Sequence, residues 1–160
     1  WIHSDGKSYL VNYEIYMKRN RNDPVNILEI GVRDGSSLKV WDEYFTQPTI
    51  TGIDIDKEAN PMSGYDNIRV VYGDATKESI MENPVLDTTY DYILDDGSHR
   101  ATDIINTFDL FRSKLKPGGV YILEDLDTAE RESPEADWQR LDKLLTTHNA
   151  ARYIATAVIS

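Results

Sequence analysis

The sequence predicts a doubly wound, mostly parallel α/β domain. Three observations lead there. Short β-branched runs alternate with helical stretches from Val25 to the last residues. Several of those runs are apolar on consecutive positions, as strands buried on both faces are. The stretches between them repeat apolar residues at helical spacing.

In chain order, Tyr9, Tyr13, Tyr16 and Asn20, with Met17 beside them, predict a tyrosine-rich amphipathic helix. It would make 1–24 a helical cap or lid over a cleft, the alternative being plain core packing. A polar hinge, Arg19-Asn20-Arg21-Asn22-Asp23-Pro24, leads into a first strand at 25–30. Leu38, Trp41 and Phe45 mark the next helix, and strands follow at 49–54, 68–72 and 90–95. Ile104, Phe108, Phe111 and Leu115 line one helix face, closed by Lys116-Pro117-Gly118-Gly119 before a strand at 120–124. Ser133, Pro134 at the first helical position and Glu135 in the first turn start a last helix, with Trp138, Leu141 and Leu145 on its face. A sixth strand at 153–159 completes a single domain, 1–160, without repeats.

Composition bounds what such a domain does. With 160 residues, 40% apolar and 10% aromatic, the chain can bury a core. Its 28 Asp and Glu against 17 Lys and Arg give a charge of −11, which argues against nucleic acid or an anionic membrane as partner. The absence of cysteine excludes disulfides, zinc–thiolate sites and thiol nucleophiles. No apolar run approaches the roughly 20 residues that span a bilayer, and no signal peptide is expected. A cytoplasmic protein is expected, and a homo-oligomer is left open. A chain beginning at Trp1 reads as a piece of a longer one.

The chemistry sits at predicted strand ends. The first strand runs into Glu29-Ile30-Gly31-Val32-Arg33-Asp34-Gly35-Ser36-Ser37 and then a helix, a glycine turn that lets a ligand lie against backbone N–H groups. Arg33 stands where a dinucleotide fingerprint needs glycine for the pyrophosphate, so a cofactor without pyrophosphate fits better. Asp54 ends the second strand, where it can accept ribose hydroxyls, and Asp74 follows the third, near an adenine amino group. The competing reading makes Gly31 and Gly35 a tight turn and Asp54 and Asp74 helix caps. In order at successive strand ends, they favour a nucleoside-containing cofactor.

The fourth strand ends in Asp95-Asp96-Gly97-Ser98-His99 and the fifth in Glu124-Asp125. Paired strands lie about 4.8 Å apart, so these clusters become neighbours if the strands pair. Crowded carboxylates call for positive charge, and a hard divalent cation such as magnesium suits oxygen ligands. Alternatively, Asp95 or Asp96 caps the helix that begins near Ala101. His99 can serve as a general base.

These motifs resemble those of class I S-adenosylmethionine-dependent methyltransferases. More narrowly, the chain resembles the metal-dependent macrocin/mycinamicin sugar O-methyltransferase group, whose relatives include proteins labelled cephalosporin hydroxylase. The resemblance runs from residue 26 to about 128 and is carried by 27–38, Trp41, Tyr44-Phe45, 52–56, Asp95-Asp96-Gly97-Ser98-His99 and 115–125. It implies a Rossmann-like methyltransferase sheet. It also implies that Glu29, Gly31, Gly35, Ser36, Asp54, Asp74 and Asp95 hold S-adenosylmethionine. Asp96, Glu124 and Asp125 would bind Mg2+, and His99 would take the proton from an acceptor hydroxyl on a sugar or a glycosylated natural product. Two departures stand out. Ser4-Asp5-Gly6-Lys7-Ser8-Tyr9 swaps the family's Gly-Lys order, with Leu10 where a histidine is usual, and the seventh strand of the family sheet is expected to be absent. The other readings are a non-catalytic S-adenosylmethionine-binding module and a non-haem iron hydroxylase, which would need a second histidine beside His99.

Overall fold

The computed structural model describes residues 10–17, 20–59, 61–152 and 156–160. Its elements are α1 (Leu10–Met17), β1 (Pro24–Ile30), α2 (Ser36–Tyr44), β2 (Gln47–Asp54), β3 (Ile68–Tyr72), β4 (Tyr90–Asp95), α3 (Ala101–Phe111), β5 (Leu115–Leu123), α4 (Leu126–Glu132), α5 (Glu135–Thr147), β6 (Ala151–Arg152) and β7 (Ala157–Ile159). The strands form one sheet in the order β3-β2-β1-β4-β5-β7-β6. β1 to β5 pair in parallel, whereas β7 runs antiparallel to both β5 and β6.

Alternate strand residues point to opposite faces, so one run of apolar residues supplies two cores. Leu28, Ile30, Ile93, Tyr121 and Leu123 meet Phe108 and Phe111 of α3 and Leu141 and Leu145 of α5. Ile27, Tyr92, Leu94 and Ile122 meet Trp41 of α2 together with Tyr13 and Met17 of α1. The strand order reverses between β1 and β4, and in doubly wound sheets the crevice at that reversal takes the ligand. Among the described residues no helix is long and apolar enough to cross a membrane.

Three expectations need correction. Among the described residues the sheet has seven strands, not six: the run expected as one strand at 153–159 is preceded by β6, and its described end is β7. A two-residue strand carries no alternation to read, and strand direction is set by pairing with β5 rather than by local sequence. Leu115 opens β5 rather than closing α3, because residues 115–123 pair with β4 across a register shift between Tyr90 and Tyr92. Gly119 lies within that bulge, where a Cβ would stand 2.9 Å from the Asp91 carbonyl oxygen. Finally, Pro134 is the N-cap of α5 rather than its first residue, and the Ser133 hydroxyl accepts from Ala101 N (2.9 Å) at the start of α3 instead. The segment Ser4-Asp5-Gly6-Lys7-Ser8-Tyr9, His3, Arg19 of the expected hinge and the start of the expected last strand, Tyr153 to Ala155, lie outside the described residues.

Candidate functional site

The carboxyl ends of the central strands are stitched together by backbone hydrogen bonds. Gly31 N donates to Ile53 O (2.8 Å), Gly73 N to Asp54 O (2.8 Å), Asp96 N to Ile30 O (2.9 Å) and Glu124 N to Asp95 O (3.0 Å). Above this edge opens a cleft of about 530 Å³. Of the residues expected in a site, Gly31, Asp54, Asp74, Asp95, Asp96, His99 and Asp125 line it, whereas Glu29, Gly35, Ser36 and Glu124 do not.

Gly31 is required where it stands. Its φ is +94°, and a Cβ there would fall 2.3 Å from the Asp96 carbonyl oxygen. The turn beyond it curls so that Val32 N and Arg33 N both donate to Asp54 Oδ2 at 2.8 Å, while Asp56 N donates to Oδ1 at 2.8 Å. Asp54, expected at a ribose, braces the glycine turn. Gly35, at φ 73°, is the N-cap of α2, and the Ser36 hydroxyl donates to Asp34 at 2.8 Å. Asp74 accepts from Thr76 N (2.9 Å) and Oγ1 (2.6 Å), and these bonds hold its carboxyl below the usual range.

The buried acids are sorted by their partners. Glu29 accepts from the Ser37 hydroxyl and from Trp41 Nε1 (2.6 Å), and burial pushes its carboxyl from 4.5 up to about 7 against the pull of both bonds. Asp95 accepts from the Thr107 hydroxyl and is raised by burial to about 6. Glu124 accepts from the Tyr13 hydroxyl, and burial and then the Asp96 charge drive it well above the carboxylate range. Asp96 is raised to about 7, first by burial and then by the charges of Glu29, Asp125 and Asp95, with Arg33 pulling the other way.

Asp96 and Asp125 turn to His99. Its Nε2 lies 4.0 Å from Asp96 Oδ1 and 3.6 Å from Asp125 Oδ2. One potential ligand atom from each of the three falls within 4.8 Å of the others, close enough for a single cation to meet all of them. The residues expected to hold a metal are therefore split: Asp96 and Asp125 cluster with His99, and Glu124 stands behind them against Tyr13. His99 and Asp125 hold left-handed backbone, at φ 56° and 50°, as does Arg33, also in the cleft lining, at 51°. Non-glycine residues rarely adopt this conformation, and its concentration at one cleft marks a site where backbone strain is tolerated. His148 packs edge to face on Phe108, with ring centroids 5.0 Å apart, and is not a cleft-lining residue.

Three contributors escape the sequence reading. Tyr13 belongs to the expected tyrosine face, but its partner is 111 residues away. Thr107 interrupts the apolar face of Ile104, Phe108 and Phe111, and that polar interruption is a readable signal for the buried Asp95. Trp41 counts as core by periodicity, yet its indole N–H fixes Glu29.

Comparison with known proteins adds to this geometry. A family described as a methyltransferase domain matches residues 28–126. Demethylmacrocin O-methyltransferase of Streptomyces fradiae is 30% identical over 74% of this chain and 31% of its own length. Mycinamicin VI 2''-O-methyltransferase of Micromonospora griseorubida is 31% identical, again over 74% of this chain and 31% of its own. The chain thus spans about a third of the length of these curated relatives. A MycE methyltransferase from the mycinamycin biosynthetic pathway, solved in complex with Mg, SAH and mycinamycin VI, superposes with a TM-score of 0.82. The superposition covers 96% of this chain and 50% of that one, at 24% identity, and supports the fold.

Proposed function

The chain belongs to the methyltransferase-domain family, and from that premise we propose that it serves an S-adenosylmethionine-dependent, Mg2+-assisted O-methyltransferase. The acceptor is the hydroxyl of a small molecule, a sugar or a glycosylated natural product, as the names of the similar enzymes suggest. The observation that carries the proposal is the convergence of Asp96, His99 and Asp125 on the wall of a cleft at the sheet's reversal point.

The residues suit both groups. Gly31 keeps the cleft floor free of a side chain, and Asp54 and Asp74 lie along it at the ends of adjacent strands, with carboxylate oxygens to accept from a nucleoside. Asp96 and Asp125, with Glu124 behind them, offer hard oxygen ligands whose mutual repulsion a divalent cation relieves. When bound, S-adenosylmethionine supplies an electrophilic methyl group, and the ion supplies Lewis acidity that lowers the pKa of an acceptor hydroxyl. With the ion held by the carboxylates and not by the imidazole, His99 receives the hydroxyl proton at Nε2, and Asp125 and Asp96 beside it stabilise the imidazolium that forms. The methyl carbon passes from sulfur to oxygen, leaving S-adenosylhomocysteine. The strained loops at Arg33, His99 and Asp125 hold these groups in place before substrate arrives, which supplies the near-attack geometry the displacement needs.

The test is a methyl-transfer assay with Asp96→Ala and His99→Gln variants. Each is expected to lose about 100-fold or more in kcat, as removal of a metal ligand or a general base does. Chelation is expected to abolish transfer and added Mg2+ to restore it. Transfer that survives both substitutions and the chelator would sink the metal-and-base mechanism.

A further inference from the structure

Tyr13 reaches the site from α1, outside the sheet. Its hydroxyl donates to Glu124 Oε1, and its ring, 3% exposed, lies edge-on to Trp41 with centroids 4.9 Å apart and an interplanar angle of 79°. Trp41 is fixed in turn through Nε1 to Glu29 Oε2 at 2.6 Å, and Glu29 also accepts from Ser37. The phenol oxygen is therefore held in direction by a packed chain of side chains, not by an exposed rotor.

Other contacts also hold the helix. Tyr44 Oη donates to Glu14 Oε2 (2.7 Å), Tyr92 Oη donates to Met17 O (3.2 Å), and Met17 is fully buried. With α1 anchored elsewhere, the Tyr13 hydroxyl has a separable effect. A glutamate's terminal torsion is broad, so a carboxylate without a fixed partner samples many orientations. Donation to Oε1 restricts that rotation, in a carboxylate that already feels the charges of Asp96 and Asp125.

We propose, resting on the metal-site reading above, that Tyr13 is a positioning residue: its hydroxyl fixes the Glu124 carboxylate so that Glu124 joins Asp96 and Asp125 in holding a divalent cation. The docking of α1 and the occupancy of the metal site are then linked. Hydrogen-bonded supports of this kind behind metal ligands change metal affinity by about 10- to 100-fold when removed.

The experiment measures Mn2+ binding to the cofactor-free chain, from the electron paramagnetic resonance signal of free Mn2+. Wild type, Tyr13→Phe, Glu124→Gln and the double variant are compared, with S-adenosylhomocysteine affinity by calorimetry as the control. Tyr13→Phe keeps the ring on Trp41 and is expected to weaken Mn2+ about 10-fold while S-adenosylhomocysteine binds as in wild type. Glu124→Gln is expected to weaken Mn2+ at least as much, and adding Tyr13→Phe to it to cost nothing more. Wild-type Mn2+ affinity in Tyr13→Phe, or multiplicative losses in the double variant, overturns the positioning role. Equal Mn2+ affinity in Glu124→Gln and wild type removes Glu124 from the ligands and the proposal with it. A wild-type chain that binds no Mn2+ overturns the metal-site reading itself. Linkage gives a measurement that needs no variant: Mn2+ is expected to slow hydrogen exchange of α1 amides in wild type, and unchanged exchange counts against the link.

Discussion

Replacing Glu29 with Gln tests whether the sheet edge carries charge at a cost to stability. Glu29 is 2% exposed, and burial raises its carboxyl from 4.5 to about 7. A carboxyl raised on folding contributes fully to stability below its unfolded value, and that contribution is lost as pH rises through the folded value. The window here runs from 4.5 to about 7. At about 1.4 kcal/mol per pH unit, keeping Glu29 charged costs about 3 kcal/mol above that window and about 1 kcal/mol at pH 5. Glutamine retains an oxygen for Trp41 Nε1 and turns an amide N–H toward the Ser37 hydroxyl, so both contacts survive without the charge. Glu29→Gln is therefore expected to be more stable than wild type at pH 8 by about 3 kcal/mol, or about 6–12 °C in Tm for a chain of this size. The advantage should shrink to about 1 kcal/mol at pH 5. Urea unfolding of both proteins between pH 5 and 8 measures the difference, in which groups remote from Glu29 cancel and relief of the Asp96 and Glu124 carboxyls, both raised in part by the Glu29 charge, adds to the variant's advantage. A variant less stable than wild type at pH 8, or a difference that does not grow with pH, would refute the reasoning.

Two further substitutions follow from the same edge. Gly31→Ala forces a Cβ to within 2.3 Å of the Asp96 carbonyl oxygen at a φ of +94°, and is expected to destabilise by about 2–4 kcal/mol in urea unfolding and to weaken S-adenosylhomocysteine binding by calorimetry. Thr107→Val keeps the shape but removes the donor to Asp95, which is raised to about 6. A loss of about 1–3 kcal/mol is expected at pH 8, where Asp95 is charged, and a smaller one at pH 5, so an equal loss at both would count against the bond.

The parallel part of the fold was legible because burial on both faces imposes a rule that local sequence obeys. Residues 27–30, 50–53 and 92–95 are nearly continuous buried runs, and they are β1, β2 and β4. Where burial is not two-sided, or a strand is only a few residues long, the rule lapses. Leu115 has an apolar side chain at helical spacing from Phe111, yet it pairs with Tyr90. β6 is too short for any period, and the antiparallel sense of β7 is decided by its partner β5, more than thirty positions upstream.

The acids were legible by position but not by role, and the reason is electrostatic. A strand end brings a carboxylate to the sheet edge whatever it does there. What separates the roles is the donor that meets each one: Ser37 and Trp41 for Glu29, Thr107 for Asp95, Thr76 for Asp74, and the turn's own N–H groups for Asp54. These donors come from other elements, from a neighbouring side chain in the same turn, or from a backbone conformation that sequence does not display. Each satisfied acid becomes part of the frame and leaves its charge behind as a field. Asp96 and Asp125 sit in that field and turn to His99 in the cleft wall, with Asp96 raised to about 7 by burial and its acidic neighbours. A frame that is itself anionic raises the free energy of an empty site and so adds to the gain when a cation enters. On this argument the surplus of 11 negative charges is partly a binding device. Neutralising Glu29 should then both stabilise the fold and weaken the grip on Mn2+, two effects of opposite sense from one carboxylate.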